Sequence, residues 1–180
     1  MPGDFGLSST PSSAGNTSTQ GLMHARTSEQ LISAPSGEEI VKVSFYGDLA
    51  SAGSHTLVLD VFQLDTGAAD SADLLGSGNS AVTVDSTTAA WWETGTLSLA
   101  LVSGEDYACA YTQSNSTIRH YYNWIGSASM SRQTAFGSTD NPWVEAGTLD
   151  YVIGMFADYA ATGGGGGPDT ARNLLVIGCG

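Results

Sequence analysis

The chain has 180 residues and a mass of 18.5 kDa, enough for one globular domain with extensions and too little for a catalytic domain joined to a separate binding module. Five basic residues against eighteen acidic ones give a formal charge of −13, which excludes nucleic acid and anionic membrane surfaces as expected partners, since both require a basic face. Only 13% of residues are charged while 23 are glycine, so the surface must be built from Ser, Thr, Asn, Gly and Ala, a composition that suits a turn-rich β protein.

The first 20 residues include fourteen Gly, Ser, Thr, Asn or Pro, with Phe5 and Leu7 the only sizeable apolar side chains. Residues 1–34 are therefore expected to form an extended N-terminal arm, with an edge strand over 21–32 where Leu22 and His24 precede Leu31 and Ile32. From residue 35 to 160 the apolar period is two. Val41, Val43 and Phe45 alternate with Lys42 and Ser44, and Leu57, Leu59 and Val61 with Val58, Asp60 and Phe62. Further strands are predicted at Val82 and Val84, at Leu97, Leu99 and Leu101, at Tyr107, Cys109 and Tyr111, and at Ile118, His120, Tyr122 and Trp124. The longest runs from Leu149 through Ile153 and Met155 to Tyr159.

Turn residues punctuate these runs at Pro35-Ser36-Gly37, Ala52-Gly53-Ser54 and Ser103-Gly104, and no capped helical periodicity occurs. The predicted fold is all-β: a two-layer antiparallel β-sandwich, jelly-roll-like, of about eight strands. Gly163 to Gly167 then open a tether over 161–180 that carries the apolar quartet Leu174-Leu175-Val176-Ile177. No basic segment and apolar run open the chain at Met1-Pro2-Gly3-Asp4-Phe5, and no stretch approaches the roughly 18 apolar residues of a bilayer span, so neither a secretory signal nor membrane insertion is expected. Cys109, inside an alternating run, and Cys179, next to last, form no disulfide framework and read as a buried thiol and an unrelated tail thiol.

The order of segments resembles jelly-roll β-sandwich modules of phage structural proteins, such as tail-fibre and capsid-surface components, and of microbial surface proteins. It is carried by the Pro-Ser-Gly turn feeding Glu39 to Tyr46, the Leu57 to Leu64 strand, Gly104-Glu105-Asp106-Tyr107, and Asp140-Asn141-Pro142-Trp143 before the final Tyr151 to Tyr159 strand. The resemblance implies adhesion or assembly, not catalysis, and brings over no catalytic residue. It covers about residues 35–160 and rests on strand order and turn positions.

Motifs for chemistry are missing. His24, His55 and His120 lie in separate segments, and the glycine run lacks the lysine a phosphate loop needs. The acids Asp60, Glu93, Glu105, Asp106 and Glu145 fall mostly at strand ends, where solvated turn residues are ordinary; as a carboxylate pair they would support glycoside hydrolysis. Asp65, Asp70 and Asp73 offer oxygen ligands of the kind calcium takes, without EF-hand spacing. No cofactor is expected. Adjacent Trp91 and Trp92 must point to opposite faces of a strand, as must Tyr121 and Tyr122.

The function expected from these features is that of a non-catalytic virion-surface protein, a capsid decoration or fibre component, whose partners are copies of itself and other virion proteins. Its apolar anchors Phe5, Leu7, Leu174, Leu175 and Ile177 would bury against neighbouring chains. The alternative is a carbohydrate-binding or adhesive module that stacks a cell-surface glycan on Trp92, Tyr121 or Trp143.

Overall fold

The computed structural model describes residues 2–17, 22–24, 29–65, 68–75, 80–113, 117–126, 130–132 and 142–162. Among them there is no helix. The strands are β1 (Gly3–Gly6), β2 (Ser13–Thr17), β3 (Leu22–Met23), β4 (Glu38–Leu49), β5 (His55–Asp65), β6 (Ala68–Leu74), β7 (Ser80–Val84) and β8 (Ala90–Glu93). They continue with β9 (Leu99–Ala100), β10 (Asp106–Gln113), β11 (Ile118–Trp124), β12 (Met130–Arg132), β13 (Gly147–Leu149), β14 (Tyr151–Ile153) and β15 (Met155–Ala161). The first sheet runs β1-β15-β4-β11-β14, with β2 added to β11 and with β8 and β9 added to β4. The second runs β13-β12-β3-β10-β5-β6, with β7 added to β5. All of these pairings are antiparallel.

The period-two pattern explains most of how the sheets meet. On β4 it holds from Val43 onward, and a bulge at Val41, opposite the step from Asp158 to Tyr159, turns Ile40 inward where Val41 was expected. Ile40, Val43, Phe45 and Leu49 of β4 and Met155 and Ala157 of β15 face Leu57, Leu59 and Val61 of β5 and Tyr107, Cys109 and Tyr111 of β10 in one buried cluster. The rings of Phe45 and Tyr111 lie 5.1 Å apart across the two sheets. A second, smaller cluster occupies the opposite side of the second sheet. It contains Met23, Phe62, Leu64, Ala108 and Ala110, the positions alternate to the core residues of the same strands, and Trp143 closes it.

The residue expected to stack a glycan is thus buried. Trp143 has no exposed surface, meets Phe62 edge-on at 5.4 Å, and donates from Nε1 to Ser131 Oγ at 2.8 Å. An indole that lies over alanine-lined strands and finds a hydroxyl for its one donor is a lid, not a platform.

The long strand expected from Leu149 to Tyr159 is broken in two places. β13 belongs to the second sheet and β14 and β15 to the first, so the chain changes sheets at Asp150. Gly154 then sits between β4 and β11: its N–H donates to Tyr121 O at 2.9 Å and its carbonyl accepts from Tyr46 N at 2.7 Å. A Cβ there would fall 2.7 Å from Tyr46 Cβ and 2.8 Å from Pro11 Cγ, so the close approach admits glycine alone. The expected Leu97 to Leu101 strand shortens to β9; of the expected 21–32 edge strand, the described residues show β3 and a bridge between Leu31 and Tyr107.

The N-terminal arm also needs correction. β1 pairs with β15, placing Phe5 opposite Ala157, and Phe5 is 6% exposed in the protein's own core. Leu7 packs against that core while its N–H donates to Met155 O at 2.8 Å. Pro11 is buried over Gly154, Ser12 donates from N and Oγ to Asn123 Oδ1, and β2 then pairs with β11. A strand added to a sheet edge needs backbone donors and one or two anchors, which a polar, glycine-rich segment can supply. Leu174, Leu175 and Ile177 lie outside the described residues.

Candidate functional site

Outward positions of the first sheet gather the side chains that the core does not use. On β4 these are Lys42, Ser44, Tyr46 and Asp48; on β8, Trp91 and Glu93; on β11, Arg119 and Tyr121; on β15, Phe156 and Asp158. Register sets Tyr46 opposite Trp91, and Ser44 opposite both Glu93 and Phe156. The small Ser44 lets Trp91 and Phe156 meet over β4 with centroids 5.1 Å apart, and its Oγ is buried with no hydrogen-bond partner among the described residues. Tyr46 lies 5.2 Å from Trp91 and 5.4 Å from Tyr121. The result is a bent path of four half-buried rings, Tyr121-Tyr46-Trp91-Phe156, in tilted and edge-to-face contacts that aromatic quadrupoles favour.

Charged groups close both ends of the path. At one end Arg119 donates from Nε and Nη2 to the two oxygens of Asp48, each at 2.7 Å, and Tyr121 Oη donates to Asp48 Oδ2 at 2.9 Å. Asp48 is 2% exposed, so these donors are what keep its carboxylate tolerable inside. The hydrogen bond to Asp48 raises the Arg119 pKa, while burial, then the bond to Asp48, raises that of Tyr121. At the other end Lys42 Nζ reaches Glu93 Oε1 at 3.0 Å and Asp158 Oδ2 at 3.4 Å. Burial opposes the Lys42 charge, but Glu93 and Asp158 outweigh it and raise its pKa. Asp158 is itself raised, first by burial, against the pull of Lys42 and with the push of Asp4 and Glu93.

Three groups of the kind used in acid-base or nucleophilic work, Cys109, His24 and His120, lie elsewhere and are enclosed. Cys109 is a free, fully buried thiol whose pKa burial pushes up, the reverse of what a nucleophile needs. His120 is buried with Nδ1 2.7 Å from Tyr111 Oη and Nε2 3.4 Å from Tyr151 Oη. His24 Nε2 is 3.0 Å from Ile153 O. Burial lowers both histidines to about 4, with the Ile153 bond opposing it at His24, so both rings are neutral near pH 7.

The candidate acids are scattered. Asp60 is buried in β5, Glu93 belongs to the outward face just described, Asp106 Oδ1 accepts from Ser33 N, and Glu145 lies between β12 and β13. Asp73 is exposed opposite Gln63, whereas the side chains of Asp65 and Asp70 lie outside the description. Among the described residues no group of three or more His, Cys, Asp or Glu is placed to hold a metal ion, and no helix is long and apolar enough to cross a membrane.

Of the three aromatic candidates, the structure brings only Tyr121 to this face. Trp92 points inward against the main core, with Nε1 donating to Gly47 O at 2.9 Å, and its neighbour Trp91 takes the outward position. Sequence reasoning left out Tyr46, Phe156, Asp48 and Arg119. The signal was present in the alternation: each is one residue from an inward-facing neighbour, Phe45, Met155, Leu49 and Ile118 respectively.

No protein-family model and no curated protein matches the chain. Among solved structures it is similar to a clostridial cysteine protease captured after propeptide cleavage, with a TM-score of 0.55 and 13% identity over 89% of this chain. The match spans 40% of that protein's chain. The likeness is one of fold, an all-β arrangement, and carries no residue of the protease chemistry across.

Proposed function

We propose that the chain is a non-catalytic structural protein of a virion surface, a jelly-roll-like sandwich of the capsid-decoration or fibre kind that locks to neighbouring copies through strand addition. The observation that carries this reading is the way residues 3–17 are held: by backbone ladders on β15 and β11, with Phe5, Leu7 and Pro11 seated against the sheet. A ladder of this kind forms equally well with the same segment of an adjacent copy, because its donors and acceptors are main-chain groups.

Asp4 and Asp158 stand opposite each other in the β1-β15 ladder, so an Asp4→Cys, Asp158→Cys pair in a Cys179→Ser background reports who donates the strand. Interchain disulfides in oligomers separated by light scattering are the expected result. Purely intrachain disulfides in a chain that stays monomeric would contradict assembly by strand addition.

A second reading, a carbohydrate-binding or adhesive surface module, is favoured by the ring path that joins Tyr121 to Tyr46 and Trp91. A fibre component could serve both roles.

A further inference from the structure

We propose that the outward face of the first sheet is a binding site for a neutral glycan chain, laid along Tyr121, Tyr46, Trp91 and Phe156; this rests on the adhesive reading above. Pyranose rings present flat C–H faces that pack on aromatic side chains and a rim of hydroxyls that needs polar neighbours. The face offers both. Ring centroids succeed one another every 5.1 to 5.4 Å, a spacing that suits successive sugars of an oligosaccharide.

Polar groups that could meet the hydroxyls flank the rings. Arg119 is 35% exposed at its side chain; Nε and Nη2 are spent on Asp48, which leaves Nη1 without a partner among the described residues. Glu93, whose side chain is 47% exposed, accepts from Lys42 at Oε1. The buried Ser44 Oγ, opposite Phe156 and Glu93 in the two ladders, has no partner among the described residues, so a sugar hydroxyl that reached it would gain a bond otherwise unmade there.

Charge decides against other occupants. Both cations of the face are already paired, Arg119 with Asp48 and Lys42 with Glu93 and Asp158, and Asp4 adds a further acid beside Asp158. No unpaired cation among these residues is left for a carboxylate, sulfate or phosphate, and a chain of −13 repels polyanions and a second copy of the same acidic face. A neutral polyol meets none of these penalties.

The test titrates the full-length chain with cellotetraose, chitotetraose and mannotetraose, with tetragalacturonate as the charged control, by calorimetry. At least one neutral tetrasaccharide is expected to bind, at least tenfold more weakly in Tyr121→Ala and in Trp91→Ala, and unchanged in Trp124→Ala, whose exposed indole lies on the other side of β11. Circular dichroism checks each fold, and Tyr121→Ala, at the rim, decides the matter if Trp91→Ala fails to fold. Binding that survives both substitutions would leave the adhesive reading standing and overturn this site. Binding to none of the neutral sugars would overturn both, and preference for tetragalacturonate would overturn the argument from charge.

Discussion

The outer faces of the two sheets start from the same sequence device and end differently. On both, residues alternate with the core positions of long strands. Over the second sheet those residues are Phe62, Leu64, Ala108 and Ala110, and the chain returns to cover them with Trp143. Over the first they are Tyr46, Trp91, Tyr121 and Phe156, half-buried and ringed by charges that satisfy one another. The face over the second sheet is apolar throughout the cluster that Trp143 closes and is sealed by the protein's own chain, whereas aromatic rings with a polar rim can remain at the surface and meet a partner.

The largest expected effect concerns the layer between the two faces, where His24 and His120 are buried. Both pKa values fall from 6.5 to about 4 on folding, so the unfolded chain binds more protons between those limits and stability declines as pH drops through that window. Each histidine accounts for about 3 kcal/mol at most, present in full above pH 6.5 and lost by pH 4. Denaturant unfolding across this range should show the decline, and a His24→Gln, His120→Gln variant should flatten it; an unchanged slope would place the titrating groups elsewhere.

Next come changes that separate the faces. Trp143→Ala is expected to cost about 3 to 5 kcal/mol by opening a cavity over Phe62 and orphaning Ser131. Its effect should appear as a lower denaturation midpoint with the same slope. Arg119→Met would leave Asp48 buried with Tyr121 as its remaining side-chain donor, at a cost of about 2 kcal/mol that shrinks when Asp48→Asn is added, as a double-mutant cycle would record. Smallest is Tyr121→Ala, about 1 kcal/mol by the same unfolding assay, because Arg119 still donates twice to Asp48 once the tyrosine is gone.

How much of this could be read in advance depended on whether the deciding interaction was local. Alternation within a strand is local, and it foretold the inward sets of β5 and β10, of β4 from Val43 onward and of β11 as far as Tyr122, and the divergence of Trp91 from Trp92. Val41 was expected inward too, but a bulge opposite Asp158 and Tyr159 turns Ile40 into the core instead. It could not say which tryptophan turns inward, since that follows from the register of β8 on β4. Phe5 and Trp143 were misassigned for the same reason. Each sits in a segment that looks like exposed loop or arm by composition, and each is buried because the segment folds back on a distant strand, β15 for Phe5 and the outer side of β5 and β10 for Trp143. The change of sheets at Asp150 was hidden too, because Leu149, Tyr151 and Ile153 keep an unbroken period of two across it. The candidate site was the least legible part: its rings come from four strands, β4, β8, β11 and β15, and only pairing brings them together.

Hydroxyl-radical footprinting with mass spectrometry tests most directly the claim that one face is open and the other sealed. In the isolated chain Trp91, Tyr46 and Tyr121 should oxidise while Trp143 stays unmodified, and a bound partner, whether glycan or assembled neighbours, should protect the first group and leave Trp143 as it was. Oxidation of Trp143 at the rate of Trp91, or a partner that binds without shielding Tyr46, Trp91 and Tyr121, would contradict it.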